Sequence, residues 1–68
     1  MDLSLESALS GREREVLDNI QLGLTNRQIA SQLFVSPNTV NKHVQSVLRK
    51  LGATNRVQAA MSSRGVRP

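Results

Sequence analysis

The chain has 68 residues, which limits it to one small domain with a compact core. It contains no cysteine, so disulfides, cysteine-based zinc sites and thiol nucleophiles are excluded. No apolar run approaches the roughly 18 residues of a membrane span, and the N-terminus lacks the features of a secretory signal. We therefore expect a soluble, cytoplasmic protein that does not associate with membranes.

The charge is distributed unevenly along the chain. The formal net charge is +4, and all five acidic residues lie within residues 1–18. From Phe34 onward there are six lysine or arginine residues and no acid. Such a basic half is typical of proteins that bind nucleic-acid phosphates, although small domains are also often basic by chance.

We divide the chain into a lead-in over residues 1–8, one domain over residues 9–63 and a basic tail over residues 64–68. The lead-in shows no clear periodicity. Apolar side chains in and next to it can pack it onto the domain: Leu3, Leu5 and Leu9.

The first predicted helix runs from about Gly11 to Leu22. Ser10 and Glu13 have the spacing of a capping box, in which each residue satisfies a backbone N–H of the other. Gly23 ends the helix because glycine tolerates the left-handed conformation best. The apolar stripe consists of Val16, Leu17 and Ile20.

The second predicted helix is short and runs from about Asn26 to Leu33. Thr25 and Gln28 form another capping box, and Leu24 with Ile29 fits a hydrophobic staple around it. The inward-facing residues are Ile29, Ala30 and Leu33.

A three-residue turn, residues 34–36, precedes the third predicted helix. Phe34 is the sole aromatic residue, and we expect it to fill the core at this turn. Ser36 is suited to cap the helix and Pro37 to occupy its first position. The helix extends from Pro37 to about Leu51, and a regular 3.6-residue period marks its buried stripe: Val40, Val44, Val47, Leu48 and Leu51.

A fourth helix is predicted to begin after Asn55 and to end near Ser62. Its apolar face consists of Val57, Ala60 and Met61. This face is either part of the core or, because so short a helix cannot bury every apolar residue, a contact with a second copy. No strand-like alternation occurs, so the predicted fold class is all-α.

The outward face of the third helix carries amides, a hydroxyl and cations but no carboxylate. On a helical wheel, Asn38, Lys42, Gln45, Ser46 and Arg49 point away from the buried stripe, with Thr39 and Asn41 on its flanks. These are the groups that read base edges and neutralise phosphates. An ordinary solvated face usually mixes positive and negative charges.

A short helix, a tight turn and a longer helix with a polar outer face form a helix-turn-helix arrangement, which places its second helix in the major groove. The N-terminus of that helix also exposes backbone N–H groups, so residues 36–39 form a candidate phosphate clamp. The alternative is a helical hairpin within a small bundle that does not bind DNA.

No catalytic or metal site emerges from the sequence. Glu13 and Glu15 are two residues apart and point in different directions on a helix, so we assign them to capping and solvation. His43 is the single histidine, which excludes a histidine cluster for metal. It lies at the edge of the buried face, where a packed, hydrogen-bonded ring is favoured over a phosphate contact.

Four segments together resemble the LuxR-type (GerE- or FixJ-type) DNA-binding domain over about Leu9 to Met61. They are Leu9-Ser-Gly-Arg-Glu-Arg-Glu-Val-Leu, Gly23-Leu-Thr-Asn-Arg-Gln-Ile-Ala, Ser36-Pro-Asn-Thr-Val-Asn-Lys-His-Val and Leu48-Arg-Lys-Leu-Gly. The resemblance implies a four-helix domain of a bacterial transcription regulator. We expect no cofactor and no enzymatic activity, because the chain has no cysteine, one histidine and no glycine-rich phosphate loop. Such domains usually follow a receiver or sensing domain, and this chain fits either a fragment of such a protein or a free-standing regulator.

The resemblance also implies partners and site residues. The partners are a double-stranded DNA operator with inverted repeats, a second copy bound through the last helix (Val57, Ala60 and Met61) and RNA polymerase. The implied base-reading residues are Asn41, Lys42 and Gln45. The implied phosphate-contacting residues are Thr39, Thr25, Asn26, Arg27, Arg49 and Lys50. Ser36 and Asn38 join this set because they belong to the candidate clamp at the start of the third helix.

Two departures and two alternatives remain at this point. Family members often have lysine or arginine where this chain has Asn41 and Gln45, so the preferred operator is open. The helical pair would also suit a promoter-reading domain like region 4 of a sigma factor, or a protein-interaction module that no longer binds DNA. The second and third segments quoted above favour the LuxR type over the sigma factor.

Overall fold

The computed structural model describes residues 8–65, with side chains through residue 61. Four α-helices follow one another in this part of the chain: α1 (Gly11–Gln21), α2 (Asn26–Leu33), α3 (Pro37–Leu51) and α4 (Arg56–Gly65). The predicted all-α class is confirmed. The predicted packing of Leu3 and Leu5 and the tail residues 66–68 lie outside the described residues.

The helix ends agree with the sequence to within a few residues. Gln21 ends α1 one residue early, because Leu22 serves as its cap and Gly23 takes the left-handed conformation with φ 83°. At the other end of the chain, α4 continues past Ser62 to Gly65, since nothing in the sequence before that glycine breaks the helix.

Each helix begins at a side-chain cap that the sequence predicts. The caps are Ser10 for α1, Thr25 for α2, Ser36 for α3 and Asn55 for α4. The first two are complete capping boxes, because Glu13 and Gln28 also accept the N–H of their capping residues, both at 2.9 Å or less. Such a cap stabilises a helix by about 1 kcal/mol.

The core consists of two groups of buried side chains, and α3 contributes to both. The first joins α1, α2 and α3: Val16, Ile20, Ile29, Ala30, Val40 and Val44. The second joins α1, α3 and α4: Leu17, Val47, Leu51 and Ala59. Each fully buried aliphatic side chain contributes roughly 1.5–3 kcal/mol, so the position of α3 against the other helices is tightly fixed.

Phe34 does not fill the core, and that prediction was wrong. Its side chain is 93% exposed, and its backbone is left-handed with φ 59°. At the end of α2 its N–H donates to the carbonyl of Ala30, and the left-handed geometry turns the side chain outward. Leu33 and Val35, on either side of it, pack against the core instead.

Candidate nucleic-acid interface

The outward face of α3 presents five exposed polar side chains: Asn38, Asn41, Lys42, Gln45 and Arg49. None of them makes a hydrogen bond or an ion pair with any residue that the structure describes. Because the valines on the opposite side of α3 are buried, these side chains cannot turn inward. The structure therefore places the three predicted base-reading residues together on one solvent-facing surface.

Ser46 was predicted to belong to this face, but the structure turns it inward. It is half-buried, and its hydroxyl donates to Oε2 of Glu13 over 2.6 Å. A helical wheel of α3 alone misses this contact because the acceptor lies on α1, 33 residues earlier in the chain. His43 is half-buried at the edge of the buried face of α3, as expected. The hydrogen bond expected for its ring is not formed with any described residue.

Glu13 forms the predicted capping box, but it is not solvated as predicted, because only 7% of it is exposed. Its carboxylate accepts hydrogen bonds from Lys50 Nζ at 2.8 Å, from the Ser46 hydroxyl and from the N–H of Ser10. These three donors, Lys50 first, lower the pKa of Glu13 from 4.5 to about 2. Lys50, a predicted phosphate contact, therefore has a partner inside the domain.

The other two described acids also pair with nearby cations on α1. Glu15 lies 3.2 Å from Arg12, and Asp18 lies 3.5 Å from Arg14. Thus each carboxylate within residues 8–61 already faces a cation. In the same part of the chain, four cations have no carboxylate partner: Arg27, Lys42 and Arg49 on α2 and α3, and Arg56 on α4, which binds neutral acceptors of α2. Their charge is available to an external anion.

At the start of α3, Ser36 and Thr39 form a small hydrogen-bonded unit. The Ser36 oxygen accepts the N–H of Thr39 over 3.1 Å, and its hydroxyl donates to Thr39 Oγ1 over 3.0 Å. The Thr39 hydroxyl hydrogen is then left to donate outward. Asn38 stands at the second helical position, where a backbone N–H has no helical acceptor. These donors are therefore accessible to solvent at this end of α3.

At the start of α2, Thr25 and Arg27 are exposed, whereas Asn26 is half-buried. The side-chain oxygen of Asn26 accepts a hydrogen bond from Arg56 of α4, and the same guanidinium donates to the carbonyl of Leu24 over 2.6 Å. No role was expected for Arg56 beyond its charge. Its signal was a cation at the first position of a helix, where the helix dipole disfavours positive charge.

The apolar face predicted for α4 divides into a buried and an exposed part. Ala59, which the prediction omitted, is fully buried, and Ala60 packs against the core from a half-buried position. Val57 and Met61 are 67% and 63% exposed, and together with Asn55, Arg56 and Gln58 they line an open depression. Two of the three predicted dimer residues are thus available to a partner.

The described residues give no sign of metal binding or membrane insertion. No cluster of three or more histidine and acidic side chains among them could hold a metal ion. None of the helices in this stretch has the length and apolar character required to cross a bilayer.

Together, α2, the turn at residues 34–36 and α3 form a helix-turn-helix unit, which α1 and α4 support from behind. The described part of the chain is therefore a helix-turn-helix domain. Residues 7–63 match the family model of bacterial regulatory proteins of the luxR family. The chain belongs to this family, and it is a LuxR-type DNA-binding domain of the kind found in transcriptional regulators.

Similar proteins from several bacteria carry this domain within longer chains. The CsgBAC operon transcriptional regulatory protein of Escherichia coli K12 is 44% identical over 57 residues, which cover 82% of this chain and 26% of that protein. A nitrate/nitrite response regulator homolog of Haemophilus influenzae is 48% identical over 54 residues, 79% of this chain and 26% of that protein. The probable regulator NarL of Mycobacterium tuberculosis is 49% identical over 51 residues, which cover 75% of this chain and 24% of that protein. The chain thus spans about a quarter of the length of these relatives.

Proposed function

We propose that the domain binds double-stranded DNA at specific sequences, with α3 in the major groove and without a catalytic step. Asn41, Lys42 and Gln45 would read base edges. The observation that carries this proposal is the outward face of α3, whose polar side chains have no partner among the described residues. Amides can pair with two atoms of adenine, and a lysine donates to the acceptors of guanine. A cytoplasmic location follows from this function, since bacterial DNA lies in the cytoplasm.

Phosphate contacts would surround the base-reading residues on both helices of the unit. At the start of α3 the contacts come from Ser36, Asn38 and Thr39, and at the start of α2 from Thr25, Asn26 and Arg27. Near the end of α3, Arg49 is exposed whereas Lys50 is bound to Glu13. We therefore assign the phosphate contact at this end to Arg49 before Lys50. Phosphate contacts supply most of the salt-dependent part of the affinity.

A second copy of the domain would bind through α4, giving a dimer on an inverted repeat. Val57 and Met61 support this proposal because they expose apolar surface next to half-buried Ala60. A twofold axis between two α4 helices would relate two recognition helices and so match the symmetry of an inverted repeat.

Selection of bound sequences from a random DNA library tests the function directly. Enriched sites give the operator, and equilibrium binding to operator and random DNA then gives the specificity ratio. Replacement of Lys42 with alanine is expected to weaken operator binding by about 1–3 kcal/mol and random binding by less. Arg12→Ala is the matched control, since it removes one exposed cation from α1, outside the helix-turn-helix unit.

Two results would contradict the proposal. If no sequence is enriched, the domain does not read DNA sequence, and a protein-interaction function becomes the better explanation. If Lys42→Ala weakens binding to operator and to random DNA equally, Lys42 contacts phosphate. Base reading would then depend on Asn41 and Gln45.

A further inference from the structure

The first residue of α4 is a cation, which is an unfavourable choice for that helix on its own. Arg56 stands where the dipole of α4 is positive, and no described carboxylate pairs with it. Its guanidinium reaches across to the start of α2 instead, where it binds the Leu24 carbonyl and the Asn26 side chain. Arg56 therefore contributes through its contact with α2 and not by stabilising α4.

The contact fixes the orientation of the Asn26 carboxamide. A guanidinium has only donors, so the group of Asn26 that faces it must be the oxygen Oδ1. The NH2 group of Asn26 then points away from Arg56, and it makes no hydrogen bond with any described residue. Since the Asn26 side chain is only half-buried, the free NH2 group has access to a ligand in solvent.

We propose that Arg56 is a positioning residue of the DNA-binding surface. From α4 it holds the Asn26 carboxamide so that the NH2 group donates to a phosphate of the DNA backbone. This inference rests on the proposed function, and it deepens it by connecting α4 to the phosphate contacts of α2.

The surroundings of Asn26 favour an anion as the acceptor. Thr25 and Arg27 are exposed on either side of it, and neither Arg27 nor Arg56 has a carboxylate partner among the described residues. The positive charge of Arg56 also polarises the carboxamide that accepts its hydrogen bond, which strengthens the opposite N–H groups as donors. A DNA phosphate offers the negative oxygen that this arrangement accepts.

A double-mutant cycle on Asn26 and Arg56 tests the proposal. Asn26→Ala, Arg56→Ala and the double variant are titrated against operator and random DNA over a series of salt concentrations. Each single variant is expected to weaken binding to both DNAs by about fivefold to tenfold, because one hydrogen bond to a phosphate is lost. The double variant is expected to bind no more weakly than Asn26→Ala, since Arg56 acts through Asn26.

Asn26→Asp separates a positioning role from a merely structural one. The carboxylate retains an acceptor for Arg56 and suits the first turn of α2, so the thermal unfolding temperature is expected to stay the same or to rise. It has no N–H to donate and it repels phosphate, so binding to both DNAs is expected to fall by more than about tenfold. A merely structural role of Asn26 and Arg56 removes no donor to the DNA, so it predicts only a loss from charge repulsion that fades as salt is raised, whereas the loss of a donor persists.

Three outcomes would overturn the inference. They are full DNA binding by Asn26→Asp, wild-type binding by Arg56→Ala, and additive losses in the double variant. Lys42→Ala, measured beside these variants, distinguishes this failure from failure of the proposed function. If Lys42→Ala reduces operator binding while the cycle is additive, only the role of Arg56 is wrong. If the unchanged domain binds operator and random DNA equally, both proposals are wrong.

Discussion

Lys50 Nζ lies 2.8 Å from Oε1 of Glu13, and this ion pair joins the last turn of α3 to the first turn of α1. The carboxylate stands at a helix N-terminus and the ammonium at a helix C-terminus, so each charge also suits the dipole of its own helix. Glu13 additionally completes the capping box of α1. One buried carboxylate thus connects the cap of the first helix to the end of the candidate recognition helix.

We expect this carboxylate to make the stability of the domain depend on pH in the acid range. Its pKa is about 2 in the folded domain and 4.5 ordinarily, so the unfolded chain takes up the proton first as pH falls. The stabilisation is complete above about pH 4.5 and is lost progressively toward pH 2. Urea unfolding at a series of pH values measures this as a falling free energy of unfolding across that interval.

Glu13→Gln is expected to flatten that pH dependence and to cost about 1–3 kcal/mol at neutral pH, because Lys50 loses its anionic partner. Glu15→Gln is the matched control on the same helix, since it changes a carboxylate that is mainly exposed and pairs with the exposed Arg12. Equal slopes of stability against pH for Glu13→Gln and the unchanged domain would show that Glu13 does not carry the acid sensitivity.

Replacement of Phe34 with asparagine should increase the stability of the domain. Phe34 is the only aromatic residue of the chain, but its ring does not contribute to the core. The residue is 93% exposed and left-handed, a conformation that costs a residue with a Cβ roughly 1–2 kcal/mol and that asparagine tolerates better. Phe34→Asn is expected to raise the free energy of unfolding by about 0.5–1 kcal/mol. Phe34→Val is the opposing control and should lower it, because a β-branched residue fits this conformation worst. A large loss of stability in Phe34→Asn would mean that the ring packs against the domain.

Local signals in the sequence predicted the helices well, because each cap needs only residues within one turn. Ser10 with Glu13 and Thr25 with Gln28 illustrate this, and four of the five residues in the predicted stripe of α3 are buried, while Leu48 packs against the core from a half-buried position. The outward positions of Lys42 and Gln45 follow from that stripe alone, since a helix that buries one side must expose the other.

The misses arise where a side chain meets a residue that is distant in sequence. Ser46 was expected on the outward face of α3 and Lys50 at a DNA phosphate, but Glu13, more than 30 residues earlier, binds both. Arg56 finds its acceptors on α2 in the same way. Phe34 is a different case, because hydrophobicity suggested burial while the backbone conformation of the turn decided the direction of the side chain.

Arg49 and Lys50 are neighbours in sequence, yet they should respond differently to replacement. Arg49→Ala is expected to weaken binding to operator and to random DNA by similar factors. The slope of log affinity against log salt concentration is expected to fall by about 1, as for the loss of one phosphate contact. Lys50→Ala should mainly lower the free energy of unfolding, by about 1–3 kcal/mol, because it leaves Glu13 buried without its cation. Binding titrations over a salt series and urea unfolding of both variants provide the comparison. A reduced salt slope in Lys50→Ala would show that Lys50 leaves Glu13 to contact DNA.

The exposed apolar residues of α4 give the last prediction, which concerns the number of copies on the DNA. Val57→Ser combined with Met61→Ser removes apolar surface without adding charge, so electrostatic attraction to DNA stays the same. Because both side chains are mostly exposed, the free energy of unfolding should change by less than about 0.5 kcal/mol per residue. On an inverted repeat, the double variant is expected to lose cooperative binding and to bind each half-site as a monomer.

Leu22→Ser is the matched control, since Leu22 is another exposed apolar residue, 74% accessible, and caps α1 outside α4. It should retain cooperative binding. Gel-shift titrations on one and two half-sites, with sedimentation of the complexes, count the copies bound. If the α4 double variant binds two half-sites as cooperatively as the unchanged domain, the dimer contact lies on another surface.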